Sequence, residues 1–250
     1  MILSTRAQKI SNTEELRRCA LDPKYFMMKY ILSEVSSVQE KFIDGILEFK
    51  QLIVKHPRQG GFTTASMAYL LWEMMFMPNR TSVVVLSTVQ IATNLTAIVR
   101  VMQQKLPSWL RSEILYEGRD LLKFENESKL SFVACSERSM HGVMFDTLYI
   151  GDMAYADEAH LQGFWKNVAS RIDSHTRVLI HSTPKPDENL FKTLFQKAAK
   201  ERSMLQTMSF EYCEMPYASL QHESQTISYI GFSAFRIEFM ALFENEEPTA

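Results

Sequence analysis

What most constrains this chain is a repeated alternation of short apolar runs with longer stretches of helical period. QLIVK (51–55) stops at the loop HPRQGG and leads into a helical run from Thr63 to Met77. SVVVLS (82–87) leads into an amphipathic stretch over 89–104, closed by Pro107. TLYIG (147–151) precedes a helical segment around Trp165, and RVLIH (177–181) precedes one from Leu190 to Lys200. Apolar runs of this length, bounded by turn residues, read as strands buried on both faces. Strands alternating with helices make a mainly parallel sheet with helices on both sides. Within that pattern LLKFE and KLSFVAC flank Asn126-Glu127-Ser128 and read as a hairpin.

Outside this region the pattern changes. Ser11 followed by Glu14 has capping-box spacing, so a short helix is expected to start near Asn12 and to end before Asp22-Pro23. Two further helices, Tyr25 to Leu32 and Val38 to Phe49, carry their apolar residues at helical spacing. Residues 1–50 therefore read as a helical layer, 51–203 as an α/β core and 204–250 as a small C-terminal appendage. In the appendage we expect a strand over Thr207 to Tyr212, a loop rich in Ser and Gln, a helix from Ala234 to Phe243 and a solvated tail, ENEEPTA.

Composition excludes several classes. With 46% apolar and 22% charged residues among 250, the chain is neither disordered nor mainly coiled coil. Its 27 basic and 29 acidic residues leave a net charge of -2, so a polyanion would have to be gripped by a local patch. Arg171, Arg177, Lys185, Lys192, Lys197 and Lys200 are candidates for that, with a solvated helix face as the alternative. Cys19, Cys135 and Cys213 lack CxxC spacing and fit a reducing, cytosolic setting. No stretch has signal-peptide character, and the longest apolar one, Met67 to Met77, is broken by Glu73, so no membrane partner is expected. The stripe Tyr69, Trp72, Met75, Phe76 reads as core, and the histidines at 56, 141, 160, 175, 181 and 222 show no metal-ligand spacing.

In an open parallel sheet, anions are held where a loop leaves a strand and enters a helix N-terminus. Lys55-His56-Pro57-Arg58-Gln59-Gly60-Gly61-Phe62-Thr63-Thr64 occupies such a place. It is not a Walker A sequence, because Phe62 stands where a lysine belongs. The same residues also read as a plain strand-to-helix turn with Thr63 as N-cap. Asp157-Glu158-Ala159-His160 spells a DEAH box, which suggests a helicase fragment, or else the acidic first turn of the Trp165 helix.

Taken with its neighbours, RQGGFTT resembles the phosphate loop of the large terminase subunit, the ATP-driven DNA-packaging motor of tailed bacteriophages. DPKYFMMKYI, SWLRSEI, HSTPKP and GFSAFRIEFMALFEN resemble further segments of that ATPase domain in the same order, over nearly the whole chain. The resemblance implies a P-loop NTPase-like, RecA/ASCE-type α/β fold without the family's nuclease domain. It implies ATP and Mg2+ as ligands, action in the cytoplasm of an infected host cell, and double-stranded DNA, the portal, the small terminase subunit and a second terminase chain as partners. Residue by residue, Gln39 resembles the adenine-reading glutamine. The backbone of Gln59, Gly60, Gly61, Thr63 and Thr64 resembles the phosphate cradle, and Arg58 the arginine finger acting in cis. Thr63 takes the place of the magnesium ligand and Thr183 that of the γ-phosphate sensor.

Three departures shape the expectation. The missing lysine of position 62 has a counterpart in Lys55, at the start of the loop, as in some members of the family. His141 precedes Gly142 where the family often has arginine. LYIGDMAY carries only Asp152 where the family has an Asp-Glu pair, so either the metal or the attacking water lacks its carboxylate. Glu158 supplies it only if its loop folds back over the phosphates. Three readings stay open: a weakly active ATPase module, a non-hydrolysing paralogue that serves as scaffold or regulatory partner in packaging or capsid assembly, and a DEAH-type helicase fragment.

Overall fold

The computed structural model describes residues 2–86, 89–137, 139–140, 142–201 and 203–243, the side chains of 2–10, 89, 90 and 92 excepted. The strands are β1 (Gln51–Lys55), β2 (Thr81–Leu86), β3 (Ile114–Glu117), β4 (Leu121–Phe124), β5 (Lys129–Ala134), β6 (Thr147–Gly151), β7 (Arg177–Ser182) and β8 (Gln206–Ser209). They form one eight-stranded sheet in the order β3-β4-β5-β2-β6-β7-β1-β8. From β5 to β8 every neighbour is parallel, and only the β3-β4-β5 end is antiparallel. The long apolar runs take the middle of the sheet, where both faces are covered, and β7 separates β1 from β6.

Side-chain alternation along these strands divides the interior in two. Leu52, Val54, Val84 and Tyr149 face α3 (Ser37–Glu48), α4 (Phe62–Phe76) and α5 (Val89–Lys105), together with the N-terminal layer. That layer is α1 (Ile2–Leu21) and α2 (Pro23–Phe26), the latter running into a π turn over Met27–Ile31. Ile53, Val83, Val85 and Ile150 face the other way, toward α6 (Glu158–Ala169) and α7 (Leu190–Lys200). The aromatic stripe of α4 is core, with Trp72 buried and its indole N–H donating to the Cys19 carbonyl. Glu73, in the middle of that apolar helix, is buried because it accepts hydrogen bonds from Ser82 and Thr147 and pairs with Arg80. One carboxylate thus ties α4 to β2 and β6.

Several expectations need correction. The first helix begins at Ile2, and Ser11 and Glu14 lie inside it rather than at its start. The capping box belongs instead to Ser36 and Gln39, at the head of α3. Thr63 is not the N-cap of α4, since Gly61 takes that position in a left-handed conformation. SWLRSEI leads into an exposed edge strand, β3. The Ser- and Gln-rich loop is a helix, α8 (Leu220–Ile230), which has no buried residue and is started by the Ser219 hydroxyl accepting from the His222 N–H. The last helix, α9, runs Phe232–Glu238, and β8 ends at Ser209, so both are shorter or shifted relative to the sequence pattern. β8 pairs with β1, so the segment after residue 203 begins in the main sheet. ENEEPTA and His141 lie outside the described residues.

Candidate functional site

The loop between β1 and α4 meets the loops after β6 and β7 beyond the C-terminal ends of these strands. Between them lies a cavity of about 480 Å3, lined among others by Arg58, Gly61, Thr63, Asp152, Tyr155 and Thr183. Gln59, with φ 62, and Gly61, with φ 76, both have left-handed backbones, which turns the loop sharply into the helix. Gly61 has a second reason to lack a side chain: a Cβ there would fall 2.2 Å from Nε2 of Gln39. Gln39 in turn accepts from the Ser36 N–H at 3.2 Å through Oε1, so its amide links the head of α3 to the loop.

The floor of the cavity is aromatic and uncharged. Phe62 is buried, stacked on His56 with ring centroids 4.0 Å apart and edge-on to Phe42 at 5.0 Å. Filling that place with a phenyl ring gains about 2–3 kcal/mol of burial, and it removes the cation that would otherwise project there. Behind the ring, His56 Nε2 lies 2.9 Å from His181 Nδ1, and His181 Nε2 lies 2.7 Å from the Tyr149 hydroxyl. Burial pushes both histidines down to about 3, so they are neutral at physiological pH. Tyr149 also explains the glycine at 151, because a Cβ there would stand 2.6 Å from its hydroxyl oxygen.

Among the described residues that line the cavity, charge enters only at the rim. Asp152 is exposed and takes a left-handed backbone (φ 49), uncommon for a residue with a Cβ. Arg58 reaches across the Tyr155 ring and pairs with Glu238 of α9 at 3.3 Å, while its N–H donates to the Glu238 carbonyl. The Tyr217 hydroxyl donates to the carbonyl of Arg58, so the C-terminal helices hold the loop from outside. On the other side of Gln39 and Thr64 opens a second, more apolar recess of about 500 Å3, walled by Ile31, Leu32, Ile98, Val101 and Met102.

No family model matches the chain, and no curated protein matches it. Solved structures do. A point mutant of the large terminase ATPase domain of Thermus phage P74-26 superposes with a TM-score of 0.70 at 16% identity, covering 88% of this chain and 99% of that one. The HK97 bacteriophage large terminase gives 0.72 at 12% identity, over 90% of this chain and 55% of that one. The large terminase of a thermophilic bacteriophage, in complex with ADP, gives 0.64 at 12% identity, over 83% and 53%. The fold is that of a phage large terminase ATPase domain. The chain spans about half the length of the HK97 and thermophilic-phage large terminases and nearly all of the P74-26 domain. The thermophilic-phage protein has also been solved with ATP-gamma-S.

Against that terminase fold, the expected site residues separate into three groups. Arg58, Gln59, Gly60, Gly61, Thr63, Asp152 and Thr183 converge on one cavity. Gln39 and Thr64 border the adjoining apolar recess. Lys55 is not brought in: as the last residue of β1 it faces the α7 side, with Nζ over the rings of Phe243 at 5.0 Å and Phe195 at 5.7 Å. Strand alternation decides this, because Lys55 shares a face with Ile53 and the loop lies beyond the face of Val54. Glu158 is not brought in either. Its carboxylate accepts from the Leu190 N–H at 3.1 Å and so caps α7. Asp157 caps α6 by accepting from the His160 N–H, so the DEAH letters describe two helix starts. Among the basic candidates, Arg171 donates to the Val143 carbonyl, Arg177 to those of Ile46 and Phe49, and Lys192 pairs with Glu188.

Sequence reading missed the His56–His181–Tyr149 contact. His56 follows the strand QLIVK and His181 closes the run RVLIH, which is a signal, but it takes the strand order to make β1 and β7 neighbours.

Proposed function

We propose that the chain is the nucleotide-binding module of a terminase-type DNA-packaging machine, with ATP held by the loop between β1 and α4. The observation that carries this is the convergence of a left-handed glycine turn, a helix N-terminus, two threonines and one carboxylate on a single cavity. The phosphates take the backbone N–H groups at the head of α4, where the helix dipole favours anions. Arg58 is the cation that reaches them, in place of the lysine. The base lies beyond Thr64, in the recess beside Gln39, whose Nε2 is the donor to it. Thr63 and Asp152 offer two oxygen donors to one cavity, which fits Mg2+, a cation bound by one or two protein oxygens together with phosphates and water. The cation would neutralise phosphate charge; Thr183 contacts the terminal phosphate from the end of β7.

Turnover is slow in this reading. Asp152 is the one carboxylate among the described residues that line the cavity, and Tyr149 blocks the position from which a second would project. Losing a group that orients and deprotonates the water costs on the order of a hundredfold in rate. This favours a scaffold or regulatory partner as the second reading, with nucleotide as a structural ligand. Double-stranded DNA, the portal and the small terminase subunit are the partners in either case.

Calorimetry with ATP and Mg2+ tests the proposal. The parent is expected to bind, Arg58→Ala to bind about tenfold or more weakly, as befits a charge-assisted contact, and Lys55→Ala to bind within about twofold of the parent. Absence of binding by the parent overturns the proposal, and loss in Lys55→Ala but not in Arg58→Ala overturns the assignment of the cation.

A further inference from the structure

The three loops that make the cavity are joined underneath by buried side chains. Tyr149 lies two residues before Gly151 on β6, His181 two before Thr183 on β7, and His56 two before Arg58 after β1. Tyr149 and His181 have no exposed surface and His56 has 5%. The order of contact is Tyr149 hydroxyl, His181 Nε2, His181 Nδ1, His56 Nε2, His56 Nδ1 and the Pro57 carbonyl, the last at 2.7 Å.

The end of this chain fixes its direction. A carbonyl oxygen only accepts, so His56 Nδ1 carries the proton and donates to Pro57. A neutral imidazole has one N–H, so His56 Nε2 accepts and His181 Nδ1 donates to it. By the same rule His181 Nε2 accepts, and the Tyr149 hydroxyl donates to it. The Tyr149 oxygen is left with its lone pairs, and the Thr63 hydroxyl stands beside it. Ser66, the other hydroxyl there, gives its proton to the Phe62 carbonyl at 2.9 Å. Thr63 itself lines the cavity above this group.

We propose that Tyr149, His181 and His56 are positioning residues, forming an uncharged, one-way hydrogen-bond chain that locks together the three loops around the nucleotide site. The inference rests on the nucleotide reading for its purpose but not for its structure. It assigns a use to the space under the loop that Phe62 and Gly151 leave without a lysine or a carboxylate. A neutral chain holds the loops at fixed distance without the large cost of burying an unpaired charge.

Two measurements on the full chain test it. Long-range nitrogen–proton correlation at pH 7 is expected to show both His56 and His181 as Nδ1–H tautomers, and an Nε2–H tautomer at either overturns the chain. Amide hydrogen exchange without nucleotide is then compared across variants. His181→Leu and Tyr149→Phe are expected to raise exchange at least tenfold in 58–63 and around 183, with little change in α6 and α7. His181→Gln, whose amide both accepts and donates, is expected to restore most of the protection. Uniform acceleration in all variants marks mere destabilisation and overturns the proposal. In a third arm, ATP affinity with Mg2+ is expected to fall about tenfold in His181→Leu and less than threefold in His181→Gln. If the parent binds no ATP, the functional reading fails while tautomers and exchange still decide the chain. If the loops loosen and affinity is unchanged, the positioning role is overturned.

Discussion

Gly61 carries two constraints that no other residue type satisfies: a left-handed backbone and a close approach by the Gln39 amide. Alanine there adds about 1–2 kcal/mol of backbone strain and a clash with Gln39. We expect Gly61→Ala to lower the Tm by about 3–8 °C, and Gln39→Ala in the same chain to recover only the steric part, as read by thermal melts. The buried histidines give a second prediction. Free histidine titrates near 6.5, whereas burial holds His56 and His181 down to about 3. A group whose folded value is depressed adds protons on unfolding, so its contribution to stability is whole above about 6.5 and is lost as pH falls toward about 3. Thermal melts between pH 6.5 and 5, above the carboxylate range, should show the Tm falling with pH. That slope should flatten in a His56→Gln, His181→Gln double variant.

Elements whose identity comes from burial were readable in advance, and those made by local capping or by an edge were not. QLIVK and TLYIG match β1 and β6 residue for residue, and Leu190 to Lys200 matches α7, because each buries a face against a neighbour and is punctuated by turn residues. β3 has three exposed residues of four and shows no alternation to detect. α8 has no buried residue, so only its Ser219 cap marks it. The convergence of the glycine loop and Asp152 on one cavity was legible, because both stand at the ends of strands. The direction of Lys55 and Glu158 was not, because it depends on which face of a strand, and which helix start, each side chain meets. Glu73 belongs to this scale as well, since one side chain fastens α4 to two strands. Removing it leaves the Ser82 and Thr147 hydroxyls unpaired and Arg80 without its partner. Glu73→Ala is expected to cost about 2–4 kcal/mol in urea unfolding and Glu73→Gln less, since its amide still accepts.

Across the whole molecule, the sheet presents its parallel strand ends to one cavity while the C-terminal helices reach back to the same place. Arg58 stands between two partners: it lines the cavity proposed to hold phosphates, and Glu238 holds it by an exposed ion pair. Such pairs are worth about 0–1 kcal/mol, so the competition is mild. Glu238→Gln is expected to tighten ATP binding by about two- to fivefold, with a neutral or small change in Tm. A weaker affinity in that variant would mean that Glu238 places the guanidinium instead of competing for it.

The attachment of Arg58 also has a mechanical side. Its N–H, its carbonyl and its guanidinium are each engaged by the segment from Tyr217 to Glu238. That segment has little burial of its own in α8, and it leaves the sheet only through β8, next to β1. A displacement of that segment is therefore passed directly to the loop. It arrives at the residue that begins the glycine turn, so a ligand in the cavity and a movement of residues 217–238 would act on the same few bonds.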